Sequence, residues 1–189
     1  QNIEDFNTGI FSGEGSILYT LGILYEIYDD IKYKEYFDKW LNCMETLILE
    51  DRLFDMISGN SGIVLVLINM YRKTKKPIYL QKAIQIAEQL IENMITENGK
   101  VGWKSEVVPE VLAGFAHGNS GFIELFSRLY EVYPQTKYLD ILSSLVEYEN
   151  SLYSEKDNNW IDLRKFSEVD QHKSQPIAWC HGAAGILLS

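Results

Sequence analysis

The stretch His117-Gly118-Asn119-Ser120-Gly121-Phe122 returns in variant form at three other places in this 189-residue chain. Each copy has a leading glycine, a second glycine within three residues and then an apolar residue. The other copies are Ser12-Gly13-Glu14-Gly15-Ser16-Ile17, Ser58-Gly59-Asn60-Ser61-Gly62-Ile63 and His181-Gly182-Ala183-Ala184-Gly185-Ile186. The leading glycines are separated by 46, 59 and 64 residues. This spacing indicates an internal repeat with connections of variable length.

Each of the first three copies begins a segment that is apolar on most sides, which predicts a buried helix. These segments are residues 13–28, 61–72 and 119–133. Between them lie amphipathic helical patterns at residues 33–49, 78–95 and 136–153. In residues 78–95 an apolar stripe includes Leu80, Ile84 and Leu90, with Pro77 before it and Asn98-Gly99 expected to close it. The chain is therefore predicted to alternate buried and amphipathic helices.

Repeated helical pairs form either an open solenoid or a closed α/α toroid. The apolar inner helices favour the toroid, so we predict an all-α fold with about four helical pairs, which is an incomplete ring. The fourth copy is followed only by Leu187-Leu188-Ser189. We therefore expect residues 1–189 to be the N-terminal part of a single longer domain. The apolar surface of an open ring predicts dimerisation, or disorder near residues 154–189.

Composition excludes several classes of protein. Acidic residues exceed basic ones by 27 to 17, giving a net charge of −10, so a nucleic-acid partner is not expected. Apolar runs are too short for a membrane-spanning helix, and no signal peptide is visible. Cys43 and Cys180 are too few and too far apart for a disulfide framework. We interpret Cys43 as a buried free thiol in a reducing, cytoplasmic compartment.

Reactive side chains stand close to three of the leading glycines. Asp55 precedes Gly59 by four residues, His117 precedes Gly118, and Cys180 with His181 precedes Gly182. If the repeat holds in space, these groups lie at the same rim of the inner helices. An imidazole could act as a general acid or base, and a thiolate could bind zinc. Each residue also has a structural alternative, such as a helix cap or a hydrogen-bonded core position.

Two long connections, residues 96–114 and 154–179, come just before the third and fourth copies. They contain Trp103, Trp160 and Trp179, which could fill the core or form the wall of a peptide groove. His172 lies in the second connection and is interpreted as solvated surface. Loops gathered at one end of a helical scaffold commonly carry function.

Four motifs, taken in order, resemble the lanthionine synthetase C-like family. They are Ser-Gly-x-x-Gly, Phe-Asp-Met-Ile-Ser-Gly-Asn-Ser-Gly, Gly-Phe-Ala-His-Gly-Asn-Ser-Gly and Trp-Cys-His-Gly-Ala-Ala-Gly. The Trp-Cys-His-Gly form is similar to the cyclase domain of bifunctional class II lanthipeptide synthetases. The resemblance extends from Phe11 to the end and implies a double-layered α/α toroid.

The resemblance also implies an activity. A Zn²⁺-dependent cyclase of lantibiotic biosynthesis adds cysteine thiols of a dehydrated precursor peptide to dehydroalanine or dehydrobutyrine, which forms thioether rings. Cys180 matches the first zinc cysteine, His117 the histidine of proton transfer and Asp55 an acidic residue near the site. His181 stands where stand-alone cyclases have tyrosine and is kept as a catalytic candidate. The other zinc ligands are expected beyond residue 189, so this fragment is expected to be inactive and to bind zinc weakly or not at all.

Three alternatives remain open at the level of the sequence. The chain could be a non-catalytic peptide-binding module with the same fold. It could be a sugar-active α/α-toroid enzyme that uses Asp55, Glu14 or Glu110 as acid and base, which would require paired carboxylates in one cavity. It could also be an assembly scaffold of helical pairs. The sugar-enzyme alternative leaves the Cys180-His181 pair unexplained, and the scaffold alternative makes the histidines at the rim a coincidence.

Overall fold

The computed structural model describes residues 7–104, 108–164 and 177–189. The regular secondary structure of this part of the chain is helical apart from two short β-hairpins. It divides into two compact units, Gln1–Glu92 and Asn93–Ser189, which are considered in turn. The all-α class predicted from the repeat is confirmed.

The first unit is built from two helical hairpins. Its helices are α1 (Gly15–Tyr28), α2 (Ile31–Cys43), the short α3 (Glu45–Glu50), α4 (Ser61–Thr74) and α5 (Pro77–Glu92). α1 packs on α2, α4 packs on α5, and the inner helices α1 and α4 pack on each other. The four repeated stretches with paired glycines are called the glycine motifs below. The inner helices α1 and α4 each begin within one of them, as the repeat predicts.

Both hairpins of the first unit turn through the same backbone geometry. The residues that directly follow α1 and α4, Asp29 and Lys75, both adopt the left-handed conformation, with φ of 53° and 56°. Their N–H groups donate to the carbonyls of Tyr25 at 3.0 Å and Tyr71 at 2.7 Å, which closes the last helical turn. Two residues then separate inner from outer helix in each hairpin. The sequence repeat is thus matched by a repeat in conformation.

Burial of α4 and α5 follows the predicted pattern with one shift. α4 is buried on most sides, including Ile63, Val64 and Leu67. On α5, Tyr79 and Ile86 are buried, whereas Leu80 and Ile84 of the predicted stripe are only half-buried. The buried face of α5 thus includes Tyr79, whose ring packs edge-on against a buried phenylalanine of α2 with ring centroids 5.8 Å apart.

The second unit contains a third helical hairpin and two β-hairpins. α6 (Asn119–Val132) packs on α7 (Thr136–Ser151), and the four-residue α8 (Ala183–Ile186) follows the fourth glycine motif. The strands are β1 (Ile95–Glu97), β2 (Lys100–Gly102), β3 (Tyr153–Ser154) and β4 (Asn159–Trp160). β1 pairs antiparallel with β2, and β3 with β4.

The expected end of the helix over residues 78–95 is wrong. α5 stops at Glu92, and Asn98-Gly99 forms the turn between β1 and β2, where Glu97 pairs with Lys100. Asn98 and Gly99 have φ of 54° and 74°. A two-residue hairpin turn of type I′ needs positive φ at both positions, and Asn-Gly meets this requirement at low cost. The dipeptide therefore closes a hairpin, not a helix.

The predicted burial of α1 on most sides is also wrong within its unit. Leu18 is fully buried, but Ile23, Ile27 and Tyr28 are exposed by 37%, 67% and 65%. α2 and α4 pack against α1 and leave much of its surface to solvent. Dimerisation through apolar surface stays a prediction. The alternative expectation, partial disorder near residues 154–189, also stays a prediction, and residues 165–176, including His172, lie outside the described residues.

Cys43 is a free thiol, but it is exposed and not buried as predicted. α2 buries Phe37 and Leu41. Successive helical residues advance by about 100°, so Cys43, two positions after Leu41, lies on the opposite side of the helix.

No helix in the described ranges has the length and apolar character needed to cross a membrane.

Candidate functional site

Three glycine motifs share one backbone closure. In each, the residue after the leading glycine donates its N–H to the carbonyl six residues before that glycine. These bonds join Glu14 to Asn7 at 3.0 Å, Asn60 to Leu53 at 3.1 Å and Asn119 to Leu112 at 2.9 Å. A Cβ at the leading glycine would fall 2.1–2.4 Å from the same carbonyl oxygen. The leading glycine is therefore required by this close backbone approach.

Consecutive motifs are also joined within each unit at equivalent positions. In the first unit, the N–H of Phe11 points to the carbonyl of Ile57 at 3.5 Å. In the second, the N–H of Ala116 donates to the carbonyl of Cys180 at 3.2 Å. All four residues stand two positions before a leading glycine. Within each unit, the residues just before one leading glycine therefore lie beside those just before the next.

This pairing brings together three of the predicted site residues. The rings of His117 and His181 lie nearly parallel, with centroids 5.8 Å apart and planes inclined by 26°. Cys180 precedes His181 and is bonded through its carbonyl to the residue before His117. Its thiol is free and partly exposed. His117 is therefore a neighbour in space of Cys180 and His181, although more than 60 positions separate it from them in sequence.

The buried position of His181 controls its charge. The residue is 5% exposed. Burial and the Arg164 guanidinium, with a smaller contribution from His117, lower the pKa of His181 to about 4, although Asp162 acts in the opposite direction. His181 is therefore neutral at pH 7.

Asp162 and Arg164 form a two-point ion pair beside this histidine. The Arg164 Nε and Nη2 atoms donate to the two Asp162 carboxylate oxygens at 2.9 and 2.6 Å. Burial raises the pKa of Asp162, but hydrogen bonds from Arg164 outweigh it and hold the pKa below its ordinary value. Neither residue was singled out from the sequence, because a loop Asp-x-Arg has no distinctive pattern.

The fourth motif is anchored by a side chain from β4. The buried Asn159 accepts a hydrogen bond from the Ala183 N–H at 2.9 Å through its Oδ1 atom, at the start of α8.

Trp179 lies before Cys180, is 41% exposed and contacts the ring of Phe115 with centroids 5.5 Å apart. Trp103, by contrast, is a core residue stacked on Phe122 at 3.9 Å. The tryptophans of the two connections therefore have different environments.

Asp55 belongs to the first unit and has a local structural role there. Its side chain is 5% exposed. The Oδ1 atom accepts hydrogen bonds from the N–H groups of Ile57 at 3.0 Å and Ser58 at 2.7 Å. These bonds close a turn that precedes α4, whose N-cap is Asn60, so Asp55 is not the helix cap considered as its structural alternative. They do not test its catalytic role. Glu110, a candidate of the sugar-enzyme alternative, is paired with Lys100 at 2.5 Å.

Glu149 is a site neighbour that sequence reasoning missed. It lies on α7 and is 3% exposed. Its Oε1 atom accepts hydrogen bonds from the Gly114 N–H at 2.8 Å and the Ser120 hydroxyl at 2.6 Å. Burial raises the pKa of Glu149 in spite of these bonds. A single glutamate on an amphipathic helix gives no signal that it points inward.

The donor atoms near Cys180 are too few for a zinc site among the described residues. Cys180 offers a thiolate, which is a preferred zinc ligand, but a protein zinc site needs three or four ligands. Within residues 7–104, 108–164 and 177–189, no group of three or more His, Cys, Asp or Glu side chains is placed to hold a metal ion. The described residues therefore do not make a zinc site by themselves.

Comparison with known proteins agrees with the motif geometry. The chain is 30% identical over 172 residues to the lacticin 481/lactococcin biosynthesis protein LcnDR2 of Lactococcus lactis subsp. lactis. The match covers 84% of this chain but 16% of that protein. The family model for lanthionine synthetase C-like proteins matches residues 1–189. The chain therefore belongs to the lanthionine synthetase C-like family.

Proposed function

We propose that this chain is part of a lanthipeptide synthetase that closes thioether rings in a dehydrated precursor peptide. Family membership and the similarity to a lacticin 481/lactococcin biosynthesis protein support a role in lanthipeptide synthesis. The hydrogen bond from Ala116 to Cys180 carries the proposal for this chain, because it unites a thiol and two imidazoles. The site lies beside the partly exposed aromatic residue Trp179, which a peptide could contact.

The proposed reaction balances without an oxidant or reductant. The sulfur of a peptide cysteine bonds to the β-carbon of a dehydroalanine or dehydrobutyrine, and the carbon–carbon double bond becomes single. The proton lost by the thiol is matched by a proton delivered to the α-carbon. The protein must therefore hold two peptide segments together and move one proton.

His117 is proposed as the residue that moves this proton. It is partly exposed, whereas His181 is buried and neutral at pH 7. An imidazole reached by substrate is a suitable proton donor or acceptor. His181 is proposed to shape the site beside His117. Asp55 stays a candidate for assisting the reaction, although its Oδ1 atom is engaged in a turn.

Cys180 is proposed as one thiolate ligand of a Zn²⁺ ion whose other ligands would come from outside the described residues. Bound zinc would stabilise the thiolate form of a peptide cysteine at neutral pH. Because the described residues lack a group of three ligands, no step of the reaction is assigned to a metal held by them. We also propose a reducing cytoplasmic location, which is consistent with the free thiols of Cys43 and Cys180.

The test uses a protein extended beyond residue 189 and a dehydrated precursor peptide. Ring closure does not change the peptide's mass, so unreacted thiols are counted by alkylation and mass spectrometry. We expect His117→Ala and Cys180→Ala to leave free thiols, whereas the exposed Cys43→Ala control cyclises like the parent. Peptide binding without loss of thiols in the parent would overturn the cyclase proposal and favour the non-catalytic binding module.

A further inference from the structure

Glu149 is a buried carboxylate to which the proposed reaction assigns no role. Its carboxylate comes from α7 and accepts hydrogen bonds from Gly114 and Ser120 in the third motif. Removing a carboxylate from water is costly, and a buried one usually organises the groups that it bonds. The two donors lie on either side of His117. Glu149 therefore spans the turn that carries the proposed proton-transfer residue.

The second motif shows that the fold does not require this acid. Ser61 stands at the same motif position as Ser120, but its hydroxyl donates to the carbonyl of Phe54 within its own motif. Glu149 is the fourteenth residue of α7, and the fourteenth residue of α5 is the fully buried Leu90. An apolar residue is thus sufficient where the motif lacks a histidine.

The first motif supports the same conclusion at the glycine. Gly9 and Gly114 both stand four positions before a leading glycine. The N–H of Gly9 donates to the Oδ1 atom of the nearby Asn7 at 3.1 Å, which is a local bond. The N–H of Gly114 donates instead to Glu149 on another helix. Among the motifs described, only the one that contains His117 has a glycine N–H that donates to a side chain of α7.

The hydrogen bond between Glu149 and Gly114 also bears on the position of Cys180 and His181. A Cβ on Gly114 would be 2.9 Å from the carbonyl oxygen of Cys180 and 3.3 Å from the Cα of His181. The segment of Cys180 and His181 therefore leaves no room for a side chain at Gly114. A displacement of Gly114 would move this segment relative to His117.

We propose that Glu149 is a positioning residue that holds the turn from Gly114 to Gly118 and so fixes His117 relative to Cys180 and His181. The inference rests on the proposed function, in which these residues transfer a proton and bind metal. Glu149 acts through its two hydrogen bonds and through the bond from Ala116 to Cys180, and it has no assigned contact with peptide.

The first test measures the histidines in this chain by NMR. Glu149→Ala removes the acceptor of both hydrogen bonds, whereas Glu149→Gln keeps a carbonyl oxygen at the same place. Glu147→Gln changes an exposed carboxylate on the same helix and is the matched control. We expect the imidazole signals of His117 and His181 to shift in Glu149→Ala, to stay close to the parent in Glu149→Gln and to stay unchanged in the control.

Unshifted histidine signals in a folded Glu149→Ala protein would overturn the proposal. Should that variant fail to fold by circular dichroism, Ser120→Ala replaces it, since it removes one donor and leaves the Gly114 bond. A smaller shift of the same two signals is then expected, and no shift would equally overturn the positioning role.

The second test measures kinetics in the extended protein. A misplaced site lowers turnover more than substrate binding, so Glu149→Ala should reduce kcat on the order of 10²-fold with little change in KM, and Glu149→Gln should restore most of it. Equal loss in both variants would contradict positioning through the shared oxygen. An inactive parent protein would refute the proposed function, while the NMR result would still decide the role of Glu149.

Discussion

Gly114 lies so close to Cys180 of the next motif that a side chain at Gly114 has no room. A Cβ on Gly114 would stand 3.4 Å from the His181 Nδ1 atom and 2.9 Å from the carbonyl oxygen of Cys180. The backbone at Gly114 has a φ of 108°, which side-chain-bearing residues rarely adopt. Glycine is therefore required at this position for both conformation and space.

Gly114→Ala is expected to destabilise the protein by about 1–3 kcal/mol, because it adds backbone strain and a clash with the Cys180 segment. Gly99→Ala is the matched comparison. Gly99 also has a positive φ, of 74°, but nothing lies within 4 Å of its Cβ position. Gly99→Ala should lower the free energy of unfolding by about 1 kcal/mol, because only the backbone conformation is strained. Urea unfolding of both variants measures the difference, and equal losses would argue against the close contact.

Glu149 and Asp162 should give stability a pH dependence of opposite sign. The pKa of Glu149 lies above its ordinary value of 4.5, so its contribution is present below pH 4.5 and is lost as pH rises through the folded pKa. The pKa of Asp162 lies below 3.8, so its contribution is present above pH 3.8 and is lost as pH falls through the folded pKa.

The free energy of unfolding, measured at a series of pH values, tests these signs against Glu149→Gln and Asp162→Asn. The parent's advantage over Glu149→Gln should shrink toward high pH, and its advantage over Asp162→Asn should shrink toward low pH. Parallel pH profiles of parent and variant would show that the carboxyl group concerned has the same pKa in both states.

The glycine motifs could be predicted from sequence because their spacing depends on a local backbone closure, such as that between Asn119 and Leu112. The meeting of His117 with Cys180 followed from the repeat. Glu149 could not be predicted, because Leu90 occupies the equivalent place in the preceding pair. The prediction that α1 is buried on most sides was wrong for a related reason. Its apolar residues indicate that the helix packs against another element, but they do not identify an element of the unit that covers them.

Two buried asparagines at the same motif position provide a matched pair for hydrogen-bond strength. Asn119 Nδ2 donates to the carbonyl of Val101 at 2.8 Å, and Asn60 Nδ2 donates to that of Ile48 at 3.4 Å. Both side chains are fully buried. Asn119→Ala should therefore cost about 1–3 kcal/mol and Asn60→Ala less, because the longer bond is weaker. Denaturant unfolding compares them, and a larger loss for Asn60→Ala would contradict this order.

Cys180 and Cys43 allow the metal proposal to be tested within one protein. In the extended protein loaded with zinc, a metal-bound Cys180 should react slowly with a maleimide, whereas the exposed Cys43 should react freely. A chelator should release Cys180 for labelling and leave Cys43 unchanged, as read by mass spectrometry of the labelled peptides. Elemental analysis should find less zinc in Cys180→Ala than in Cys43→Ala, because only the former removes a ligand. Labelling of Cys180 at one rate with and without chelator, together with full zinc content in Cys180→Ala, would exclude this thiol from the metal site and leave His117 and His181 to act without it.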